Sequence, residues 1–446
     1  MFYKYLNMKV IFYKPLWFLS IFIISFMPVF GQTYISTGSD VCLSTISRNP
    51  TGSYPVHYVK TGPYSGKIMF NFVYMNNIYS FKTLPITNYN VNDLTVVGNL
   101  VFFCGEDNSG LGFYGVCKKG TGINPPYYFR IFRLYNSTSE YVTDVQRIKV
   151  FCEGTDTNVL LIGRYFNNTG NISKNSIIHV KNHLTCTLAY SSVEHYDDVE
   201  VLDDYVVTVA RKGEGEHPYE PQYLRVLNKS AFSLSDALFD YYYGWGKPET
   251  TDRVLLQKTG TNSLVSVFQR ENEYYFNTYT VNSGTLQLYN CTQVNPPAQF
   301  TNVGDVSYNP SNNVLSIVHN SDTVGYTSLF NCSYYPTVNY INTYKADYLS
   351  QNNKDTLTSV ARMSSAGFYV TGIKNSKMAL WKMPNGCEYS VQCTTSVTES
   401  QINKAWGPTV KKTIDTHKVS FSASTVGFPF QEKCMTISGG KNKEEE

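Results

Sequence analysis

Two stretches of the chain concentrate side chains that can do chemistry. Arg211-Lys-Gly-Glu-Gly-Glu-His-Pro-Tyr-Glu220 brings Glu214, Glu216, His217 and Glu220 into one short segment. Asp240-Tyr-Tyr-Tyr-Gly-Trp-Gly-Lys247 sets Tyr241, Tyr242, Tyr243 and Trp245 among glycines. Flat rings stack on sugar faces or apolar ligands, while carboxylates accept hydrogen bonds from hydroxyls or hold a cation. Tyr242, Tyr243, Trp245, Glu214, Glu216, His217 and Glu220 therefore form a candidate carbohydrate site. The competing reading is structural: rings packed against a neighbouring sheet, and a solvated acidic loop.

A second set is dispersed. Asp93, Asp144, Asp198, Asp252 and Asp305 recur at intervals of 51, 54, 54 and 53 residues. Aspartate at a strand entry bonds its own backbone, which makes these a repeated turn device. The alternative is a ring of five carboxylates holding a cation through oxygen ligands, without which the gathered charges would repel.

Other spellings fail on context. Gly110-x-Gly112-x-x-Gly115 matches a dinucleotide-binding pattern, but that motif needs a strand before it and a helix after it. Here strand-forming residues lie on both sides, so a glycine-rich hairpin is expected. The chain contains no G-x-S-x-G elbow, no H-E-x-x-H, no EF-hand loop and no zinc-type Cys/His spacing. No cofactor is implied.

The elements that position these residues repeat with a period of about 53 residues. After each aspartate comes a short apolar strand, a turn, and a more apolar second strand. These second strands include Leu100-Val-Phe-Phe103, Val159-Leu-Leu-Ile162, Tyr205-Val-Val-Thr-Val209, Leu264-Val-Ser-Val267 and Val314-Leu-Ser-Ile317. A third strand and a weaker fourth complete each unit. Four short strands per unit is the pattern of a β-propeller blade, and closing the ring protects the sheet edges. Six units fit between about residues 91 and 400. Lys67–Tyr74 and Ile78–Lys82 resemble a third and fourth strand, and Lys418–Ser422 supplies a candidate for the missing ones. The expectation is an all-β, single propeller over 32–434 with seven blades, six being the alternative, and a polar tail over 435–446. The pattern resembles the exported β-propeller proteins of Gram-negative bacteria as a class.

Composition agrees with an all-β chain. Tyrosine is abundant at 37 residues, while charged residues make up only 16%. Lys4, Lys9 and Lys14 precede the uncharged run Leu16–Phe30, so residues 1–31 read as a signal peptide. Removing those lysines takes the formal charge from +3 to zero, which argues against nucleic acid. Export to the periplasm, cell surface or extracellular space follows, with no transmembrane segment after cleavage and a monomer expected. Ten cysteines suit an oxidising compartment, and Cys104 with Cys117, and Cys387 with Cys393, are candidate disulfides. Buried free thiols are the alternative.

In a propeller, the loops joining second to third strands and those joining consecutive blades share one face. Both chemistry-bearing stretches belong to that face. A non-catalytic module recognising a glycan or a cell-surface protein is the leading expectation. A propeller-type glycoside hydrolase or polysaccharide lyase is the alternative, and it requires two carboxylates roughly 5 to 9.5 Å apart.

Overall fold

Runs of β-branched and aromatic residues punctuated by Gly, Asn and Asp give antiparallel strands from Gln32 to Gly439 in a computed structural model of the chain. It describes these strands and the turns between them, with side chains described only within 89–372. Segments 1–31, 37–43, 47–55, 60–66, 119–128, 213–221, 231–236, 243–253, 347–355, 363–367, 384–393, 405–414, 420–433 and 440–446 lie outside the described residues, as do gaps of one to four residues elsewhere.

The N-terminal strands are β1 (Gln32–Ser36), β2 (Ser44–Ile46), β3 (Val56–Val59), β4 (Lys67–Tyr74) and β5 (Asn77–Pro85). Five four-stranded blades follow. The first is β6 (Tyr89–Val97), β7 (Leu100–Asp107), β8 (Gly112–Lys118) and β9 (Phe129–Arg133). The second, preceded by the short β10 (Tyr135–Ser137), is β11 (Glu140–Glu153), β12 (Asp156–Asn167), β13 (Ile172–Lys181) and β14 (Thr185–Ser191). The third is β15 (Glu194–Val201), β16 (Tyr205–Lys212), β17 (Gln222–Asn228) and β18 (Ala237–Tyr242). The fourth is β19 (Val254–Lys258), β20 (Ser263–Arg270), β21 (Glu273–Asn282) and β22 (Thr285–Asn295). The fifth is β23 (Phe300–Asn309), β24 (Val314–Ser321), β25 (Gly325–Asn331) and β26 (Asn339–Ala346). The C-terminal strands are β27 (Thr356–Arg362), β28 (Phe368–Lys374), β29 (Lys377–Met383), β30 (Thr394–Val397), β31 (Ser400–Lys404), β32 (Asp415–Val419) and β33 (Cys434–Gly439).

The architecture is an all-β propeller, but its blades number five, not the seven or six that the repeat predicts. The remaining units do not separate into blades of their own. They join into one nine-stranded sheet in the order β2-β3-β4-β5-β33-β1-β29-β28-β27, with β33 lying between β5 and β1. This sheet packs through β27 on β23 and β24, and through β2 on β6. The strands expected to finish a blade go elsewhere. Lys418 belongs to β32, which pairs with β14 of the second blade, while β31 and β30 add outer strands to the fourth and fifth.

Each blade is covered on both faces, so middle strands such as β7, β12 and β25 are buried almost continuously rather than on alternate residues. In β7, Phe102 and Cys104 pack into the second blade with Val142, Val145 and Leu161. From the other face Val101 and Phe103 pack with Tyr89, Val91 and Phe113. The same arrangement joins the second blade to the third, the third to the fourth, and the fourth to the fifth. Gly112 and Gly115 serve this packing, and Gly110 serves the turn. Gly110 takes φ +77 in the β7–β8 turn, and a Cβ on Gly112 would come within 2.6 Å of Val145 in the second blade. They form the expected hairpin.

Polar contacts fix how neighbouring blades sit. Asp93 Oδ1 accepts from the Leu94 amide at 2.9 Å and its Oδ2 from the Ile148 amide of the second blade at 3.1 Å. Asp198 repeats this with Val199 and with Leu256 of the fourth blade, both at 2.9 Å. Asp305 Oδ2 accepts from the Val360 amide at 3.1 Å and the Ser359 hydroxyl at 2.8 Å, both on β27. In all three strands a register shift falls immediately before the aspartate, and such a bulge re-aims the side chain out of the pleat. Asp144 lies instead inside the bulge of β11, at φ 50, and accepts from the Gln146 side chain. Asp252 lies outside the described residues. Three of the recurring aspartates are thus equivalent, in every second blade.

Two outcomes are expected. Asp198→Ala removes the carboxylate to which the buried Leu256 and Val199 amides donate and should cost about 2 to 3 kcal/mol in denaturant unfolding, with Asp144→Asn within about 0.5 kcal/mol of the parent. His179, buried and bonded through Nε2 to Asn158 Oδ1 at 2.8 Å, is held by burial at a pKa of about 4. The unfolded chain then binds the extra proton below about 6.5, so stability should fall as pH drops from there towards 4. In His179→Gln, that part of the pH dependence of the unfolding midpoint should disappear.

Candidate functional site

The first strand of each blade lies innermost, and these strands enclose a cavity of about 540 Å³. Its wall is built from Thr95 to Gly98 of β6 and its turn, Lys149 and Val150 of β11, Glu200 to Leu202 of β15 and its turn, Gln257 to Gly260 of β19 and its turn, Ser307 and Tyr308 of β23, and Arg362 of β27. Lys229, just beyond β17, reaches the same wall. Antiparallel strands place the first-to-second and third-to-fourth turns at one end of a blade and all other links at the opposite end. The cavity wall therefore lies towards the end of the blades opposite the β16–β17 and β18–β19 links.

Four basic side chains line the cavity, and three of them are paired. Lys149 Nζ lies 3.0 Å from Glu200 Oε2, joining the second blade to the third with both side chains largely buried. Glu200 Oε1 accepts from the Val201 amide at 3.0 Å, so both its oxygens are engaged. Lys229 Nζ is 3.6 Å from Glu153 and donates to the Asp203 carbonyl at 3.1 Å, over the ring of Phe151. Lys258 pairs with Asp203, and its hydrogen bond holds the Asp203 carboxyl below the usual range.

Arg362 differs. No carboxylate pairs with it among the described residues, and half-burial pulls its guanidinium below its ordinary value, an effect that neighbouring Tyr308 opposes. The Tyr308 hydroxyl is itself pushed up by burial and donates to Asn313 Oδ1 at 2.8 Å. Gln257 donates through Nε2 to the Lys258 carbonyl at 2.9 Å, while its buried Oε1 has no hydrogen-bond partner.

Of the residues singled out in the sequence, Tyr242 ends β18, opposite Tyr223 of β17. Tyr243, Trp245, Glu214, Glu216, His217 and Glu220 lie outside the described residues, as do Cys387 and Cys393. Asp93, Asp198 and Asp305 use their carboxylates to tie blades together, and the described residues contain no cluster of three or more His, Cys, Asp or Glu placed to hold a metal ion. Cys104 and Cys117 are free buried thiols. Cys104 pairs in register with Tyr114, and Cys117 with Val101 three residues away, and the two thiols enter cores on opposite faces of the blade. Burial raises both thiols, Cys117 beyond the range in which a thiolate forms at neutral pH.

The cavity residues carry a sequence signal of their own. Lys149, Lys258 and Arg362 stand on β11, β19 and β27, whereas Asp93, Asp198 and Asp305 stand on β6, β15 and β23. First strands alternate between an acid that grips the next blade and a base that faces the channel. A period of two units is invisible when the repeat is read one unit at a time.

No family model and no curated protein matches the chain. Among solved structures, the Dos1 propeller aligns over 80% of this chain and 96% of its own, with 6% identity and a TM-score of 0.45. Hsv2 of Kluyveromyces lactis, with complete loop 6CD, aligns over 81% and 99%, with 11% identity and a TM-score of 0.43. The extracellular domains 1–2 of Drosophila Semaphorin 1a align over 80% and 88%, with 8% identity and a TM-score of 0.43. The sheets themselves establish the propeller. No helix among the described residues is long and apolar enough to cross a membrane.

Removing one partner of the Lys149–Glu200 pair strands a charge in a largely dry setting. Lys149→Met alone should destabilise by about 3 kcal/mol, and the double variant Lys149→Met/Glu200→Leu should recover most of it. Denaturant midpoints of the three proteins check this.

Proposed function

We propose that the chain is an exported, non-catalytic binding propeller that recognises a glycan or a surface protein through its loop-rich end. The observation that carries the reading is how carboxylates are used in the described part of the molecule. Glu200, in the channel wall, has one oxygen on Lys149 and the other on a backbone amide. Asp93, Asp198 and Asp305 are occupied by amides of the adjoining sheets. Two-carboxylate hydrolysis needs one acid free to deliver a proton and a second free to attack or to activate water. Acids committed to structure in this way suit a scaffold whose rigid blades carry variable loops at little ordering cost.

Export rests on the lysine-flanked apolar segment at 1–31, and glycan recognition on the aromatic and acidic residues between 211 and 247. Titration calorimetry of the chain from Gln32 to Glu446 against a panel of polysaccharides, with product analysis of the same samples, tests the glycan recognition and the non-catalytic reading. Binding without cleavage, weakened at least about tenfold in Trp245→Ala or Tyr243→Ala, is the expected result. Cleavage of any polysaccharide would overturn the non-catalytic reading, and silence across the panel would remove the glycan and leave a protein partner.

A further inference from the structure

Asn-x-Ser/Thr, the acceptor pattern for N-linked glycans, occurs in the chain at Asn136, Asn167, Asn171, Asn228, Asn290 and Asn331. A triplet alone is common by chance, and what separates these sites is how the structure holds each amide. The Asn136 side chain lies outside the described ones. Asn290 lies within β22, where its Nδ2 donates to the Pro336 carbonyl at 3.2 Å and Thr292 stands in register between Phe276 and Asn403 of the flanking strands. Asn167 uses both ends of its amide inside its own hairpin, Oδ1 accepting from the Gly170 amide at 3.1 Å and Nδ2 donating to the Tyr165 hydroxyl at 3.4 Å. A glycan on either would displace those contacts.

Asn228 and Asn331 are held differently, and alike. Each is the last residue of the third strand of its blade, β17 of the third and β25 of the fifth, and each opens the turn to the fourth strand. The side chain folds onto that turn through its oxygen. Asn228 Oδ1 accepts from the Ser230 amide at 3.0 Å and the Ser230 hydroxyl at 2.8 Å, and Asn331 Oδ1 accepts from the Ser333 amide at 2.7 Å. These Asx turns depend on the oxygen alone, so they are compatible with substitution at the nitrogen. A hydroxyl donating to Oδ1 also draws charge from the amide and eases loss of the Nδ2 proton. Ser230 and Ser333 are exposed, and Tyr334, next along, is 75% exposed, the most of any large hydrophobic side chain among the described residues. A ring left to water one residue beyond an acceptor triplet offers a face on which a sugar stacks. Asn171 is itself exposed, as is Ser173, in the tight turn between β12 and β13 where it takes φ 50.

We infer that Asn171, Asn228 and Asn331 are sites of N-linked glycosylation, and that Asn167 and Asn290 are not. The transfer joins Nδ2 to the anomeric carbon of an oligosaccharide carried on a lipid pyrophosphate. The bond from that carbon to the pyrophosphate oxygen breaks, its electron pair leaves with the lipid pyrophosphate, and the Nδ2 proton passes to a base of the transferase. The inference rests on the export proposed above, because the triplet is an acceptor only in a chain that enters a secretory path. It is separate from the glycan recognition assigned to the stretches between 211 and 247, since here the sugar is covalent and stands on other turns.

The test expresses the full chain, residues 1–31 included, in secretory cells that carry out N-linked glycosylation, and follows it in medium and cytosol. Peptide N-glycosidase in heavy-oxygen water converts each glycan-bearing asparagine to a labelled aspartate, and peptide mass spectrometry reads the label residue by residue. Most molecules should be labelled at Asn171, Asn228 and Asn331, and neither Asn167 nor Asn290 should be. Ser333→Ala should abolish the label at Asn331 and leave it at Asn228, while Ser333→Thr should keep both, a dependence that a merely structural turn does not produce. If Ser333→Ala is not secreted, Ser173→Ala and Ser230→Ala read the same dependence at Asn171 and Asn228. A secreted chain that begins at Gln32 and carries no label at Asn228 and Asn331 overturns the inference and leaves export standing. A chain kept in the cytosol with residues 1–31 attached overturns both. Labelling of Asn290 as complete as that of Asn331 also overturns it, because the structure then does not select among the triplets.

Discussion

The register between blades depends on one carboxylate reaching across a gap. Hydrophobic clusters between adjacent sheets supply attraction, but such contacts are non-directional and tolerate sliding of one slab over another. A buried aspartate with an amide of its own strand on one oxygen and an amide of the next sheet on the other does not. Asp198, 1% exposed, fixes Val199 and Leu256 relative to each other and so aligns the third blade with the fourth. The bulge before it makes the geometry possible, since a regular strand would aim the carboxylate along the pleat.

The clamps occur in every second first strand, so blades are grouped in pairs. Within pairs a carboxylate grips an amide, with ion pairs such as Lys258 to Asp203 beside it. Between pairs the described grips lack that clamp: Lys149 to Glu200 between the second and third blades, and the Tyr335 hydroxyl, which donates to the Leu264 carbonyl and Tyr279 carbonyl, between the fifth and the fourth. Tyr335 is deeply buried and its hydroxyl is pushed far up, so it serves as a donor throughout the physiological range. The alternation also determines the channel. Strands that receive a clamp are free to carry a base there, and β11, β19 and β27 do so.

Local chemistry made most of the fold legible. Strand residues, turn residues and their even spacing are decided within a dozen residues, and they are enough to specify an all-β repeat and a propeller. The blade count was not legible because it depends on which distant strands pair. Met435 to Ile437 of β33 pair with Ile78 to Ser80, and Ser438 with Ile35, and this fuses the outlying units into one sheet. No residue type announces such pairing; Cys434-Met-Thr-Ile437 reads equally well as an edge strand anywhere. Likewise, the sequence shows that an aspartate recurs, and its bond to the following amide could be anticipated. The second oxygen's partner, more than fifty residues away, could not.

The cysteines show the same boundary between local and non-local information. Cys104 and Cys117 are thirteen positions apart and look paired on a line, but an antiparallel hairpin converts separation into register and face. Tyr114, not Cys117, stands opposite Cys104, and the two thiols enter different cores. A bridge between them would have to cross the sheet, whereas each thiol alone fills a small apolar space. The same conversion governs the candidate site. Lys149, Glu200, Gln257 and Arg362 are scattered over four units in sequence and meet only because first strands of successive sheets line a common axis. Chemistry confined to one loop can be recognised from residues, but chemistry assembled one residue per blade becomes visible only once the strands are in register.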